Sequence, residues 1–482
     1  MKKTIFLSLL GLLCCSQLFA QATLAEFKNS LKTNGTNIKD VMPIVHKKTG
    51  ALGMIIADAK NAYAYKLDKN FKCIDQLKSN TKQRKYKVLI GSQIEGNNYR
   101  IFLSNKDRDE FSSILFSFDT QKTSANEFEL AKKELLFQTF NHNEKLYFLT
   151  GNKTTGALYL TEFNNQGIPS KKEINLQGTS ILNYKGRPTS IAKTLYTISH
   201  KGSIFISKFE KDTPNAIETA SEPVKMYVQG DKLIITFDTY KKETQMITLD
   251  LLTKKLSKTS FDLPLQNIKT NRKKTNSFLY DNLLAQIAAD KEVFTLQLRD
   301  VKTKDIIKTY SFTKKDKIPF KNGPIIQKGG TYASHREFEK TKKFLRKITA
   351  EKIGVSIIKI RGNYQFTIGG AQKIQRGGGF GVPMAGFGMP IGQFGATTVI
   401  FNPTIMAYHR YTQTKSTRIE CVFDQNFEHL AQDKPMENVF EKIKKQPTYT
   451  SKAKTIFKYQ DFYIKGDYRS SRKTYMLKKF TY

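Results

Sequence analysis

The 482-residue sequence predicts an all-β protein, read as a β-propeller of about six to eight blades with one helix and a glycine-rich loop inserted. Three observations carry that expectation. Apolar and polar residues alternate in short runs punctuated by Asn, Asp, Gly and Lys, as half-buried antiparallel strands with tight turns require. Helical periodicity is nearly absent. The same strand ending, an aromatic or aliphatic pair running into an acidic or amide turn, returns about every 40–50 residues, which is the length of one propeller blade.

The series begins with YKLDKNF at Tyr65 to Phe71 and continues with LFSFDT at Leu115 to Thr120 and LYLTEFNN at Leu158 to Asn165. IFISKFEKD (Ile204 to Asp212), MITLDLLTKK (Met246 to Lys255), FTLQLRDVKTKD (Phe294 to Asp305) and CVFDQNF (Cys421 to Phe427) follow. Asp68, Asp119, Asn164, Asp250 and Asp300 mark the turns, with Asp212 between. A sheet this small cannot bury both its faces, so stacking such units around an axis supplies the cover and leaves only short edges. The last segment, Lys454 to Tyr482, reads as a final three-strand unit, and a strand near Met42 to His46 would complete the ring. Two β-sandwich or barrel domains are the alternative. An outer-membrane barrel needs strands of about ten residues with a continuous apolar face, whereas lysines fall on both faces here. The chain has no tryptophan, so the Trp-Asp blade signature is missing.

The rhythm breaks at residues 316–396, an insertion into the propeller-like domain of residues 21–482. A helix is expected over 334–352: Ser334 and Glu337 have capping-box spacing, Phe338, Leu345 and Ile348 make an apolar stripe, and Gly354 stops it. Strands through SIIKIR and NYQFTIGG come next. Residues 377–396, GGGFGVPMAGFGMPIGQFGA, then form a loop without charge, and no charged residue stands between Arg376 and Arg410. Pro383 and Pro390 prevent regular structure, while Phe380, Met384, Phe387, Met389, Ile391 and Phe394 supply apolar contact. Three roles fit such a loop: a cover folded over a groove or into the propeller channel, a docking element for a partner protein, and an insertion into a membrane surface. A phosphate cradle does not, because GGGFG precedes neither a helix start nor a Lys-Ser or Lys-Thr pair.

The leader sets the compartment. MKKTIFLSLLGLLCCSQLFA has two lysines, an apolar run from Ile5 to Cys14 too short to span a bilayer, and a small-residue exit at Ala20. Residues 1–20 are therefore expected to be a signal peptide cleaved after Ala20, which makes the mature protein periplasmic, surface-attached or secreted. Leu12 and Leu13 before Cys14 and Cys15 argue against lipidation, which wants a small residue there. The ending SQLFAQ resembles the signal peptides of exported proteins of Bacteroidota. Together with the architecture, that resemblance points to exported propeller-like proteins of that group without implying a function. In an oxidising compartment Cys73 and Cys421 could pair as a disulfide or stay as separate buried thiols.

The precursor carries a formal charge of +38, and loss of Lys2 and Lys3 leaves +36. That charge favours anionic polymers or lipid headgroups. The even spread of lysine, without arginine clusters or Gly-Phe nucleic-acid motifs, argues against nucleic acid. Chemistry is sparse. The six histidines, His46, His142, His200, His335, His409 and His429, form no short ligand pair, so no metal is expected, and no cofactor motif is present. No GxSxG elbow or reactive-cysteine context occurs. Asp119, Glu162, Asp238 and Asp424 are candidate acids that also suit local turns. His409 follows the apolar loop and could be gathered into a channel. The sequence thus leads to the expectation of an exported, non-enzymatic binding or scaffold protein that contacts an envelope protein through the glycine-rich loop. A hydrolase with carboxylates in the channel and a binder of anionic polymer or membrane surface are the alternatives.

Overall fold

The computed structural model describes residues 23–29, 31, 40–200, 206–214, 216–264, 273–329, 335–373, 402–447 and 453–482. Among them the protein is all-β, with seven sheets of four or five strands, antiparallel but for one strand pair, and one two-stranded hairpin. Sheets I, II, III and V are each a run of four consecutive strands, beginning at Asp40–Val45, Val88–Glu95, Glu134–His142 and Lys274–Tyr280. Sheet IV runs from Val224–Gln229 to Leu256–Asp262 and adds the short parallel strand Ser207–Phe209. Sheet VI is ordered Lys352–Ile360, Asn363–Lys373, Thr414–Phe423, Ile325–Lys328, His335–Phe338. Sheet VII takes three strands from the C-terminal end, Thr455–Tyr459, Phe462–Arg469 and Thr474–Phe480, and its fourth, Thr23–Lys28, from the N-terminal end.

The recurring acids build turns. Asp68 Oδ1 accepts the amides of Asn70 and Lys72 at 2.9 Å, and Asn164, Asp250, Asp300 and Asp424 do the same for the residues that follow them. A carboxylate or amide oxygen that satisfies two amides of its own turn fixes where one strand ends and the next begins. Asp119 departs from the pattern, its carboxylate accepting from the Asn97 side chain at 2.6 Å.

Hydrophobic clusters lie between successive sheets. Phe27, Met54, Ile464 and Leu477 join sheets VII and I; Ile55, Ile101 and Phe116 join I and II; Phe102, Phe148 and Phe163 join II and III; Phe140, Leu160, Ile235 and Ile247 join III and IV. One larger cluster runs through sheets IV, V and VI. Sheets VI and VII are bridged differently. The helices Pro403–Gln413 and Val439–Lys444 insert Ile405, Tyr408, Phe440 and Ile443 against Ile456, Tyr463 and Phe480 of sheet VII.

Three expectations need correction. The strand that joins the C-terminal three is Thr23–Lys28, and Met42 belongs to the first strand of sheet I. The predicted helix over 334–352 is Thr341–Ala350. His335–Phe338 instead pairs with Ile325–Lys328, so ladder hydrogen bonds take the backbone the capping box would have used. Gly354 lies inside a strand, where a Cβ would meet the Ser221 backbone at 2.8 Å. Cys73 and Cys421 are free: Cys73 begins the fourth strand of sheet I, and Cys421 is fully buried in the core-facing row of sheet VI. The leader with Ala20, and the loop residues Phe380, Met384, Phe387, Met389, Ile391 and Phe394, lie outside the described residues.

Candidate functional site

Sheet VI sends its two faces to different environments, and strand alternation decides which residue goes where. Ile353, Val355, Ile357, Phe366, Ile368, Ile419, Cys421 and Phe423 point into the core. The intervening positions point the other way, toward the helices that bridge to sheet VII. Register places Ser356 opposite Thr367, Thr367 opposite Glu420, Ile358 opposite Gln365, and Arg418 opposite both Gly369 and Ile326. These residues form the floor of a cleft of about 380 Å³. Pro214, Pro324, Pro435 and Met436 wall it, and Tyr411, Glu441 and Tyr482 come from the bridging segments.

The floor holds four charged side chains in one hydrogen-bonded chain. Arg418 Nε donates to Glu420 Oε1 at 3.1 Å, Nη1 donates to Ser416 Oγ at 3.2 Å, and Nη2 donates to the Tyr411 hydroxyl at 3.4 Å. The Tyr411 hydroxyl donates to Glu441 Oε1, which also takes the ammonium of Lys328. Thr367 Oγ1 donates to Glu420 Oε2 at 2.7 Å. The Arg418 and Glu420 side chains are 9% and 19% exposed, and those of Lys328 and Glu441 are 22% and 18% exposed. Two positive and two negative groups thus share a half-desolvated floor.

The environment sets their ionisation. Burial by itself would raise the Glu441 carboxyl, but hydrogen bonds from Lys328 and Tyr411 outweigh it and hold the group below its ordinary value. Burial also pushes the Tyr411 phenol far up, so it stays a neutral donor. The walls are fixed by side-chain amides that pair with backbone: the Gln365 side chain donates to Met436 O at 3.2 Å and accepts from Met436 N at 2.9 Å. Asn322 accepts Val422 N at 2.7 Å and donates to Leu430 O at 2.6 Å.

The acids singled out from the sequence are not brought together. Asp119 accepts from the Asn97 side chain, Asp424 makes a turn, and Glu162 accepts from the Tyr147 hydroxyl at 3.4 Å on sheet III. Asp238 is fully buried against Lys225 in sheet IV. His409 is buried on the Pro403–Gln413 helix, and burial lowers it to about 3, so it cannot act as a base that cycles near neutrality. His142 pairs with Asp231, His335 with Glu337 and His429 with Asn322. No group of three potential metal ligands occurs among the described residues. Sequence reading missed Arg418 and Glu420. The available signal was the run RIECVF, charge alternating with core residues, which an ordinary solvent-facing strand also shows.

No family model matches the sequence, and no curated protein matches it. Among solved structures, a Glu-to-Gln mutant of Synechocystis apocarotenoid oxygenase shares 8% identity over 57% of this chain at a TM-score of 0.29. The dihydro-heme d1 dehydrogenase NirN in complex with DHE shares 12% identity over 57% of this chain at a TM-score of 0.28. The chain spans 61% of the first and 48% of the second. The expected non-enzymatic binding or scaffold protein finds no support in this comparison, since the proteins it returns are enzymes. A likeness this weak carries no argument for their chemistry in this chain.

Proposed function

We propose that the cleft on sheet VI takes up a compact, uncharged, hydroxyl-rich molecule of one or two sugar units, and that the seven sheets are blades of one propeller. The pairing of Thr23–Lys28 with Thr474–Phe480 and the hydrophobic clusters between successive sheets support the propeller. The sixth and seventh blades are then the pair held apart by helices, and the cleft is the part of that gap the helices leave open.

One observation carries the ligand class: two carboxylates and two cations alternate on a floor between proline and methionine walls, and the third carboxylate of the lining, Glu437, is paired with Lys445. An anion placed there meets Glu420 and Glu441. A cation meets Arg418 and Lys328. A hydroxyl both donates and accepts, so it can join each ion pair without leaving a buried charge unpaired. The C–H faces of a sugar ring suit the apolar walls, and 380 Å³ lies at the small end of the roughly 300–1,000 Å³ of small-molecule sites. With the leader read as an export signal, the ligand is one met outside the cytoplasm.

Saturation-transfer NMR and calorimetry on the full-length protein test this with neutral hexoses and disaccharides, against glucuronate and glucosamine as charged counterparts. Binding of neutral sugars that weakens at least tenfold in Glu420→Gln and in Lys328→Met supports the proposal. Preference for either charged sugar, or no binding of any neutral sugar at millimolar concentration, refutes it.

A further inference from the structure

The opposite face of sheet VI carries a second feature. The Thr341–Ala350 helix lies on this face, with Phe344, Leu345 and Ile348 fully buried against it. Its C-cap residue is Glu351, whose carboxyl turns into the helix–sheet interface instead of out to water. Glu351 Oε2 has no hydrogen-bond partner among the described residues. Gly370, on the adjacent strand, makes the room: a Cβ there would lie 2.8 Å from Glu351 Oε2 and 3.0 Å from the Ile348 Cα. The site has been emptied of side chain on the sheet and filled by a carboxyl from the helix.

We infer that Glu351 makes the seating of the Thr341–Ala350 helix on sheet VI depend on pH, the helix being docked while the carboxyl is protonated and loosened once it ionises. A protonated carboxyl tolerates the apolar interface and can donate toward the Thr417 hydroxyl, which also lacks a partner among the described residues. A carboxylate there has lost its water. The groups facing it replace that water only in part, the Thr417 hydroxyl being one that can donate to the carboxylate. Lys347 on the same helix and Lys415 on the Thr414–Phe423 strand attract the charge, Glu218 from the segment on the other face repels it, and Gly370 offers no side chain. Burial is the largest influence and raises the carboxyl to about 8. The transition therefore falls within a range that an exported protein meets.

The stability consequence has a definite sign. A carboxyl that is protonated in the folded state and ionised in the unfolded state makes the folded-to-unfolded ratio fall about tenfold per pH unit. That fall runs from the ordinary glutamate value up to the folded value of about 8, then levels off. Full-length protein and Glu351→Gln, which keeps the shape of the protonated form, are compared by urea unfolding from pH 5 to 8 and by tryptic cleavage at Lys342, Lys343, Arg346 and Lys347 at pH 7 and 9. A tenfold fall per unit above pH 6.5 in the wild type, flattened in Glu351→Gln, with cleavage rising at pH 9 only in the wild type, supports the inference. A wild-type profile that is flat over this range overturns it without any variant. Equal slopes in the two proteins also overturn it, as does a slope that Glu218→Gln removes and Glu351→Gln leaves intact.

Discussion

Lys225 and Asp238 form an ion pair with no solvent exposure on either side chain, Nζ to Oδ2 at 3.0 Å, at the junction of sheets IV and V. Asp238 Oδ2 also accepts Ser277 N and Oγ at 3.0 Å, and its Oδ1 accepts Thr244 Oγ1 at 2.8 Å. The carboxylate therefore ties the strands Val224–Gln229 and Glu243–Asp250 of sheet IV to the first strand of sheet V. Burial lowers the Lys225 ammonium, and Asp238, with a smaller contribution from Glu222, opposes this. Asp238→Ala strands a buried cation, and removal of one partner from such a pair typically costs about 3–5 kcal/mol. The double variant Lys225→Met, Asp238→Leu leaves no charge behind and is expected to lose less than Asp238→Ala alone. Urea midpoints of the three proteins check this.

Gly354 and Ser221 carry the second prediction. The backbone of Ser221 sits where a Cβ on residue 354 would go, and backbone cannot rotate aside as a side chain can. Gly354→Ala is expected to shift the short helix Ile217–Ala220 and cost about 1–3 kcal/mol, the usual range for overpacking. At Gly323 a Cβ would meet no described atom within 4 Å, and the backbone there has no positive φ, so Gly323→Ala should stay within about 0.5 kcal/mol of wild type. The pair separates crowding from the general effect of losing a glycine.

The cleft supplies the third. Glu441 is the shared acceptor of Tyr411 and Lys328. Glu441→Leu leaves both donors half-buried and unpaired, for an expected loss of about 1–3 kcal/mol. Glu441→Gln keeps one acceptor oxygen and should recover part of it. Thermal unfolding of the two variants beside wild type gives the comparison.

The turns were the most legible part of this fold, because the chemistry that makes them is local. Asp68, Asn164, Asp250 and Asp300 each take amides no more than four residues on, so spacing alone reveals them. Asp238 has the same appearance in the sequence and a different fate, since Lys225 and Ser277 reach it from other strands. The Ser334–Glu337 spacing looked like a helix start until an edge strand claimed His335–Phe338. Arg418 and Glu420 were hidden for a related reason. Whether a charged row on a strand faces water or a cleft depends on what packs over it, and here that is the Pro403–Gln413 and Val439–Lys444 helices from elsewhere in the chain.

His409 gives the last prediction and limits the effect of Glu351. Burial lowers the imidazole from 6.5 to about 3, so below pH 6.5 the unfolded chain takes up a proton that the folded one refuses. Stability from this group is then lost as pH falls, about tenfold in the folding equilibrium per unit, until the folded value is reached. Glu351 acts with the opposite sign between its ordinary value of 4.5 and about 8. Between pH 4.5 and 6.5 the two slopes cancel; above 6.5 Glu351 acts without that opposition, and below 4.5 His409 does. Of these two groups, His409→Gln should remove the acid limb and leave the alkaline one. Glu351→Gln should do the reverse, and in each single variant the plateau between 4.5 and 6.5 should become a slope toward the group that remains. Urea midpoints from pH 3.5 to 8 on wild type and both variants measure all three segments. A His409→Gln profile that keeps the full acid limb would mean that the buried imidazole is not what the folded chain protects from protonation.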